Sequence, residues 1–311
     1  MLRRRTLPPS PAVLLLALCG CRSAPTPPPD AEQQLAQAEA LVTARDWQAG
    51  LNLLAGLDGT ACPKRLRDRR DLATASARMG LGEYWGAFEL LETFPDLYPH
   101  SELRPSVVEA VWQIGSHLAN SDAGFLFFWS DRRAGRTVLE HLITRHPDTP
   151  RLADALRVLG DMAFADDEHE LAQERFRDLL RRRPESEWVI YARFRFAMSI
   201  VASLQGPDYD LDRMQHAVRE LRDFLVPQPE APAFVQQAEA AVARLLEWQA
   251  ERHLSIAAFY GRVGNVSGQR RHLDIAASEE FANTPSHARA VAKRDALLQT
   301  LAESAPAAAS R

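Results

Sequence analysis

Around Leu156 the chain carries an ordered set of apolar and breaking residues: Leu156, Leu159 and Gly160, then Ala172 and Phe176, then Pro184. Residues three and four apart share one face of a helix, so this order predicts two helices with facing apolar stripes. Gly160 lets the second helix approach the first, Ala172 is the small contact on the partner, and Phe176 fills the space between them. Pro184 ends the second helix, because proline has no N–H to continue it. Asp166 and Asp167 supply turn and N-cap chemistry in between. The same small, large, proline order recurs at Ala87, Leu91, Phe94 and Pro99, and at Ala217, Leu221, Phe224 and Pro229. Gly135, Leu139, Leu142 and Pro147 make another copy. Near the start, Asp46-Trp47-Gln48-Ala49 opens a helix running to about Leu57, with Leu53 and Leu54 inward. A single pair of this kind cannot bury its apolar face alone, so the recurrence demands stacking.

These positions resemble the signature of the tetratricopeptide (TPR) repeat, whose period is about 34 residues. The resemblance implies an all-α fold: a TPR-like α-solenoid of about five helix-turn-helix repeats plus a C-terminal capping helix. Residues 31–147 would form the N-terminal repeats and residues 148–302 the C-terminal ones. Ala233 to Val263 contains no proline or helix-breaking cluster, and Phe234, Ala238, Val242, Leu245 and Leu246 recur at helical spacing, which predicts a helix roughly 45 Å long. A helix from Ser267 to about Phe281 follows, then one from His287 to about Leu301; residues 303–311 form a frayed, disordered tail. Composition agrees, with 46% hydrophobic and 25% charged residues and only 15 glycines, as expected of a folded helical chain.

Residues 1–20 read as a targeting segment. Arg3, Arg4 and Arg5 precede the apolar run Ala12 to Leu18, which is too short to span a bilayer and fits a secretion signal. Leu18-Cys19-Gly20-Cys21 resembles the lipobox of bacterial lipoproteins, in which small residues precede a cysteine that receives a diacylglycerol. Cys21 fits because Gly20 can enter a narrow peptidase pocket; Cys19 fits worse, with Leu18 at the cleavage position. Cys21 is therefore the expected lipidation site, and more than one acyl chain gives stable attachment. Residues 21–30, with Pro25, Pro27, Pro28 and Pro29, form an extended proline-rich tether. Arg22 follows the cysteine, not the aspartate that retains such lipoproteins in the inner membrane, so the outer membrane is the expected residence. Cys62 then has no disulfide partner and reads as a buried, inert thiol.

Catalytic and metal chemistry find no support. The nine histidines include no HExxH and no pair at i, i+4, and there is no CxxC or GxSxG. No cofactor is expected. Gly80-Leu81-Gly82 with Gly86 lacks the spacing and preceding strand of a phosphate loop and reads as a joint between helices. Glu168, Glu170 and the adjacent aspartates read as a solvated turn, and Arg181-Arg182-Arg183 as the positive end of a helix. A formal charge of −4 disfavours nucleic acid as a partner. No enzyme emerges.

Signal, tether and repeats together resemble the BamD family, lipoproteins of the outer-membrane β-barrel assembly machine, over roughly Ala31 to Leu301. The most specific stretch is Leu254-Ser255-Ile256-Ala257-Ala258-Phe259-Tyr260, similar to the family's alanine-rich helix ending in paired aromatics. Gly264 matches the turn glycine, Arg270-Arg271 falls on the next helix, and Phe281-Ala282-Asn283-Thr284 resembles the family's Tyr-Pro-Asp-Thr. Arg213-Met214-Gln215-His216-Ala217, preceded by an insertion from Gln205 to Leu211, corresponds to the fourth repeat's second helix. The resemblance implies a non-catalytic scaffold at the periplasmic face of the outer membrane. Its partners would be a BamA-type barrel protein, other subunits of the machine and unfolded outer-membrane proteins. Arg270, Arg271 and His272 would lie near the BamA-type contact; an ungapped alignment from Gly264 puts the family's contact arginine at His272, and Arg271 one residue earlier. Phe125, Phe127, Phe128 and Trp129 either plug the solenoid core or wall a substrate groove. A periplasmic TPR lipoprotein adaptor of cell-wall or division complexes would share fold and anchor.

Overall fold

The computed structural model describes residues 31–57, 61–121, 124–126, 129–208 and 210–304. The expected signal, the lipidation site Cys21, the tether and the last residues of the tail lie outside them. The chain divides into two compact units at Gly82, so the division expected at Pro147 falls inside the second unit.

The first unit holds α1 (Ala31–Thr43), α2 (Trp47–Ala55) and α3 (Arg67–Gly80). Asp46 caps α2 by accepting from the Ala49 N–H at 3.3 Å, which satisfies one of the orphan donors of a helix start. Leu35, Ala38, Leu54, Leu57 and Leu66 share one core with Cys62. The Cys62 thiol is 2% exposed, and burial pushes its pKa up, so it stays protonated and inert as the sequence suggested. Gly80 is small by necessity: a Cβ there would lie 2.2 Å from the Trp47 ring. Arg69 clamps Glu39 with two nitrogens across α3 and α1.

The second unit runs α4 (Tyr84–Leu91), α5 (Phe94–Leu97), α6 (Arg104–Ala119), α7 (Asp131–Arg145), α8 (Leu152–Ala165) and α9 (His169–Arg182). It continues with α10 (Val189–Ala202), α11 (Leu211–Leu225), α12 (Pro232–Arg262), α13 (Val266–Ala276) and α14 (Pro285–Ser304). Helices pack in consecutive pairs, α6 on α7, α8 on α9, α10 on α11 and α12 on α13, and each pair packs on the next. This is the all-α, TPR-like arrangement the repeat order predicts. Ala172, Phe176, Ala217, Leu221, Phe224, Leu139 and Leu142 are all buried.

Local differences have local causes. The stretch from Ala87 to Pro99 is two helices, because Pro95 cannot donate to the Leu91 carbonyl. Asp166 and Asp167 do not cap α9; Glu168 occupies the N-cap without a side-chain bond, and Asp167 takes a left-handed turn at φ 59°. Asp166 instead pairs with Arg132 and Arg136 of α7, and Glu168 with Arg136. Glu170 reaches Arg213 of α11 at 2.6 Å. The cluster expected to be a solvated turn thus bridges successive repeats. Between α8 and α10, Asp161 accepts from the Tyr191 hydroxyl at 2.6 Å and from Arg195. Burial and that bond push the Tyr191 pKa up to about 12. Finally, α13 stops at Ala276, and a 3₁₀ turn at Glu279–Phe281 replaces its expected last turn, with Ser278 extended so that Phe281 turns inward.

Between α6 and α7 the backbone forms two short antiparallel strands, β1 (Gly124–Leu126) and β2 (Trp129–Ser130), pairing Gly124 with Ser130 and Leu126 with Trp129. Phe125 and Trp129 lie on these strands, while Phe127 and Phe128 lie outside the described residues. Among the described residues no helix is long and apolar enough to cross a membrane.

Candidate partner-binding face

The joint between α12 and α13 is built for close approach. Gly264 takes φ 74°, which a side chain would strain, and Asn265 caps α13 by accepting from the Gly268 N–H at 2.9 Å. A Cβ on Gly268 would meet the Tyr260 ring at 2.8 Å, so glycine here lets the ring lie against the α13 backbone. Beneath the joint, Leu254, Ala257, Leu273, Ala276 and Ala290 form one buried cluster shared by α12, α13 and α14.

The outer side of this joint is mixed apolar and cationic. Phe259 and Val263, one helical turn apart, are 51% and 58% exposed, and Val266 opens α13 beside them in sequence at 41%. Arg262, Arg270 and Arg271 are exposed too. Arg270 makes only a long 3.6 Å contact with Asp274, in water on both sides, so its guanidinium is available. Exposed phenylalanine and valine next to arginine is the composition expected of a docking surface, where an apolar anchor and a directional cation coincide.

His272 does something different. It turns toward α12, where its Nδ1 lies 3.0 Å from the Nδ1 of His253, and its ring stacks on Tyr260 at 5.7 Å between centroids. One residue of helix rotates a side chain by about 100°, which carries His272 off the face that holds Arg271. Desolvation, reinforced by His272 and Arg252, drops the His253 pKa from 6.5 to about 4; desolvation and Arg271 lower that of His272. Both rings are therefore neutral near pH 7, one donating to the other, and His272 positions the α13 face without carrying charge on it.

This pair makes α13 docking sensitive to acid. The folded pKa of His253 lies below the unfolded value of 6.5, so the unfolded chain binds more protons between them. The pair's contribution is complete above pH 6.5 and is lost as pH falls toward about 4. Protection factors of the α13 amides, taken relative to intrinsic exchange rates that themselves slow in acid, should fall over that window, and His253→Gln should flatten the dependence. An unchanged pH slope in the variant would rule the histidines out.

The start of α14 is held from α12. Glu247 accepts from the Ser286 N–H at 2.9 Å and from its hydroxyl at 2.6 Å, placing a carboxylate at a helix N-terminus, where the dipole favours it. Thr284 receives the His287 N–H and donates to the Phe281 carbonyl. Phe281 and Thr284 of the sequence motif are thus the turn that sets α14. Glu247 escaped sequence inspection because its partner lies 39 residues away. Phe259 was legible as an aromatic, but its exposure was not.

Stacked helix pairs with an exposed apolar and cationic edge define a helical-repeat protein. The model of the outer membrane lipoprotein family YfiO matches residues 129–292, just over half of the chain and all of α7 to α13. The chain belongs to that family. No curated protein matches it. Among solved structures, the TPR domain of P58(IPK) is 13% identical over 88% of this chain and 66% of its own length, with a TM-score of 0.27. The chain therefore spans slightly less than two thirds of that protein, and the superposition is too loose to bear on function.

Proposed function

We propose that this protein is a BamD-like, lipid-anchored, non-catalytic scaffold at the periplasmic face of the outer membrane, acting in β-barrel protein assembly. The family match carries this reading, because it covers the α12–α13 joint whose outer side combines exposed Phe259 and Val263 with Arg270 and Arg271. Cys21 would hold the acyl chains, and the prolines after it would space the helical body from the bilayer. The C-terminal repeats would dock a BamA-type protein through Arg270 and Arg271, with His272 positioning the helix that carries them. The N-terminal repeats and the segment bearing Phe125, Phe127, Phe128 and Trp129 would meet unfolded barrel substrates.

The test is co-purification from membranes. Arg270→Glu with Arg271→Glu should reduce recovery of the barrel protein about tenfold or more, since reversing two interfacial charges replaces attraction by repulsion. The fold should survive, because both side chains are exposed. Full recovery with the double variant would remove α13 from the interface. Recovery of cell-wall or division proteins in place of a barrel protein would replace the reading with that of an envelope adaptor.

A further inference from the structure

A second feature of the α12 region is polar and concave. A cleft of about 190 Å³ lies between α11, α12 and the 3₁₀ turn after α13. Arg219 and Arg222 of α11, Gln249 and His253 of α12, and Glu280 and Phe281 of the turn line it. Gln249 is 3% exposed, and its Nε2 has no hydrogen-bond partner among the described residues. Buried amide donors are almost always paired, so an orphan one on a residue that lines a cleft marks a place for an acceptor. Arg219 makes no ion pair with any described residue. Arg222 reaches Glu280 only at 3.4 Å, with both side chains about half exposed.

The unmet groups are donors, and two guanidinium groups face one carboxylate. A ligand must bring acceptor oxygens and negative charge. Two arginines against one glutamate leave the cleft one net positive charge, which a singly charged group neutralises. We propose that this cleft binds one carboxylate of a partner polypeptide, accepted by Gln249 Nε2 and Arg219, with Arg222 exchanging Glu280 for the incoming group. An aspartate or glutamate side chain and a chain-terminal carboxylate offer the same chemistry. His253 lends the cleft a wall that is neutral near pH 7, and the buried Phe281 lends it an apolar one. The site is distinct from the α13 face and stands whether or not that face meets a barrel protein.

Direct binding tests it. The full chain, ¹⁵N-labelled, is titrated with acetyl-Ala-Ala-Glu-Ala-Ala-amide, with its neutral glutamine counterpart, and with the glutamine peptide bearing a free terminal carboxylate. The Gln249 side-chain amide resonance should move saturably with a carboxylate peptide and stay still with the neutral one; whichever carboxylate binds identifies the source. Arg219→Ala should weaken binding about tenfold, the range expected for losing one charge-assisted hydrogen bond. Glu280→Gln should tighten it about threefold by removing the competing carboxylate, a gain that misfolding cannot mimic. A resonance that moves equally with the neutral peptide, or with none, overturns the proposal, as does a Glu280→Gln variant that binds no better. None of these results bears on recovery of a barrel protein through Arg270 and Arg271, so the two readings fail separately.

Discussion

Replacing Phe176 with alanine should lower the unfolding free energy of the second unit by about 4 kcal/mol, in the range for deleting a large buried aromatic. Phe176 is fully buried, and its ring contacts extend to Tyr191 at 6.2 Å between centroids, with the Arg195 guanidinium 5.8 Å above. Relaxation cannot fill the hole. The Phe176 ring occupies the notch that Gly160 leaves, where a Cβ would come within 2.7 Å of it, so deleting the ring opens a hole that glycine has no side chain to fill. Chemical denaturation of the full chain measures the loss, and Phe176→Leu, which keeps most of the volume, should cost less than half as much. A loss below about 1 kcal/mol for the alanine variant would mean that this pair is loosely packed.

The second large effect reverses a familiar sign. Alanine is usually a better helix former than glycine by about 1 kcal/mol, and Gly135 lies inside α7. Yet a Cβ there would fall 2.3 Å from the Ala119 nitrogen and 2.7 Å from its Cα, and backbone cannot rotate out of the way as a side chain can. Gly135→Ala should therefore destabilise by about 2–3 kcal/mol, as overpacking does, after absorbing the propensity gain. At roughly 2–4 °C per kcal/mol for a body of this size, the melting temperature should fall by about 5–10 °C. A melting temperature equal to or above that of the parent would show that α6 and α7 can separate cheaply.

Both effects rest on residues that the repeat order picks out. Gly160, Phe176, Gly135 and Leu139 are local to helices whose periodicity is unmistakable, and their burial follows from which face they occupy. The long α12 was legible for the same reason: Ala233 to Val263 holds no proline and no cluster of helix breakers. What escaped sequence inspection depends on partners far along the chain. Asp166 looked like a turn residue, and only the placement of α7 supplies Arg132 and Arg136 to it. Phe259 and Val263 fit a helical stripe as well as Leu254 does, yet no following helix covers them. His272 follows Arg271 directly, so a partner contact seemed as plausible for one as for the other, until the helix phase separated them. Gln249 gave no signal, because an amide within an alanine-rich helix is unremarkable until its neighbours prove buried.

The thirty-one residues of α12 alter how this end of the molecule comes apart. Its first half serves α10 and α11, its second half serves α13, and Glu247 near the middle anchors α14. A nearest-neighbour ladder, in which each rung melts by itself, cannot describe a helix shared by four others. Amide protection from Leu211 to Ala290 should therefore vanish in one cooperative step. A fragment cut after Arg262 would retain the strut while stripping Leu254 and Ala257 of their cover, and so would precipitate; one cut before Pro232 removes strut and dependents together and instead bares Phe194, on which Phe234 stacks.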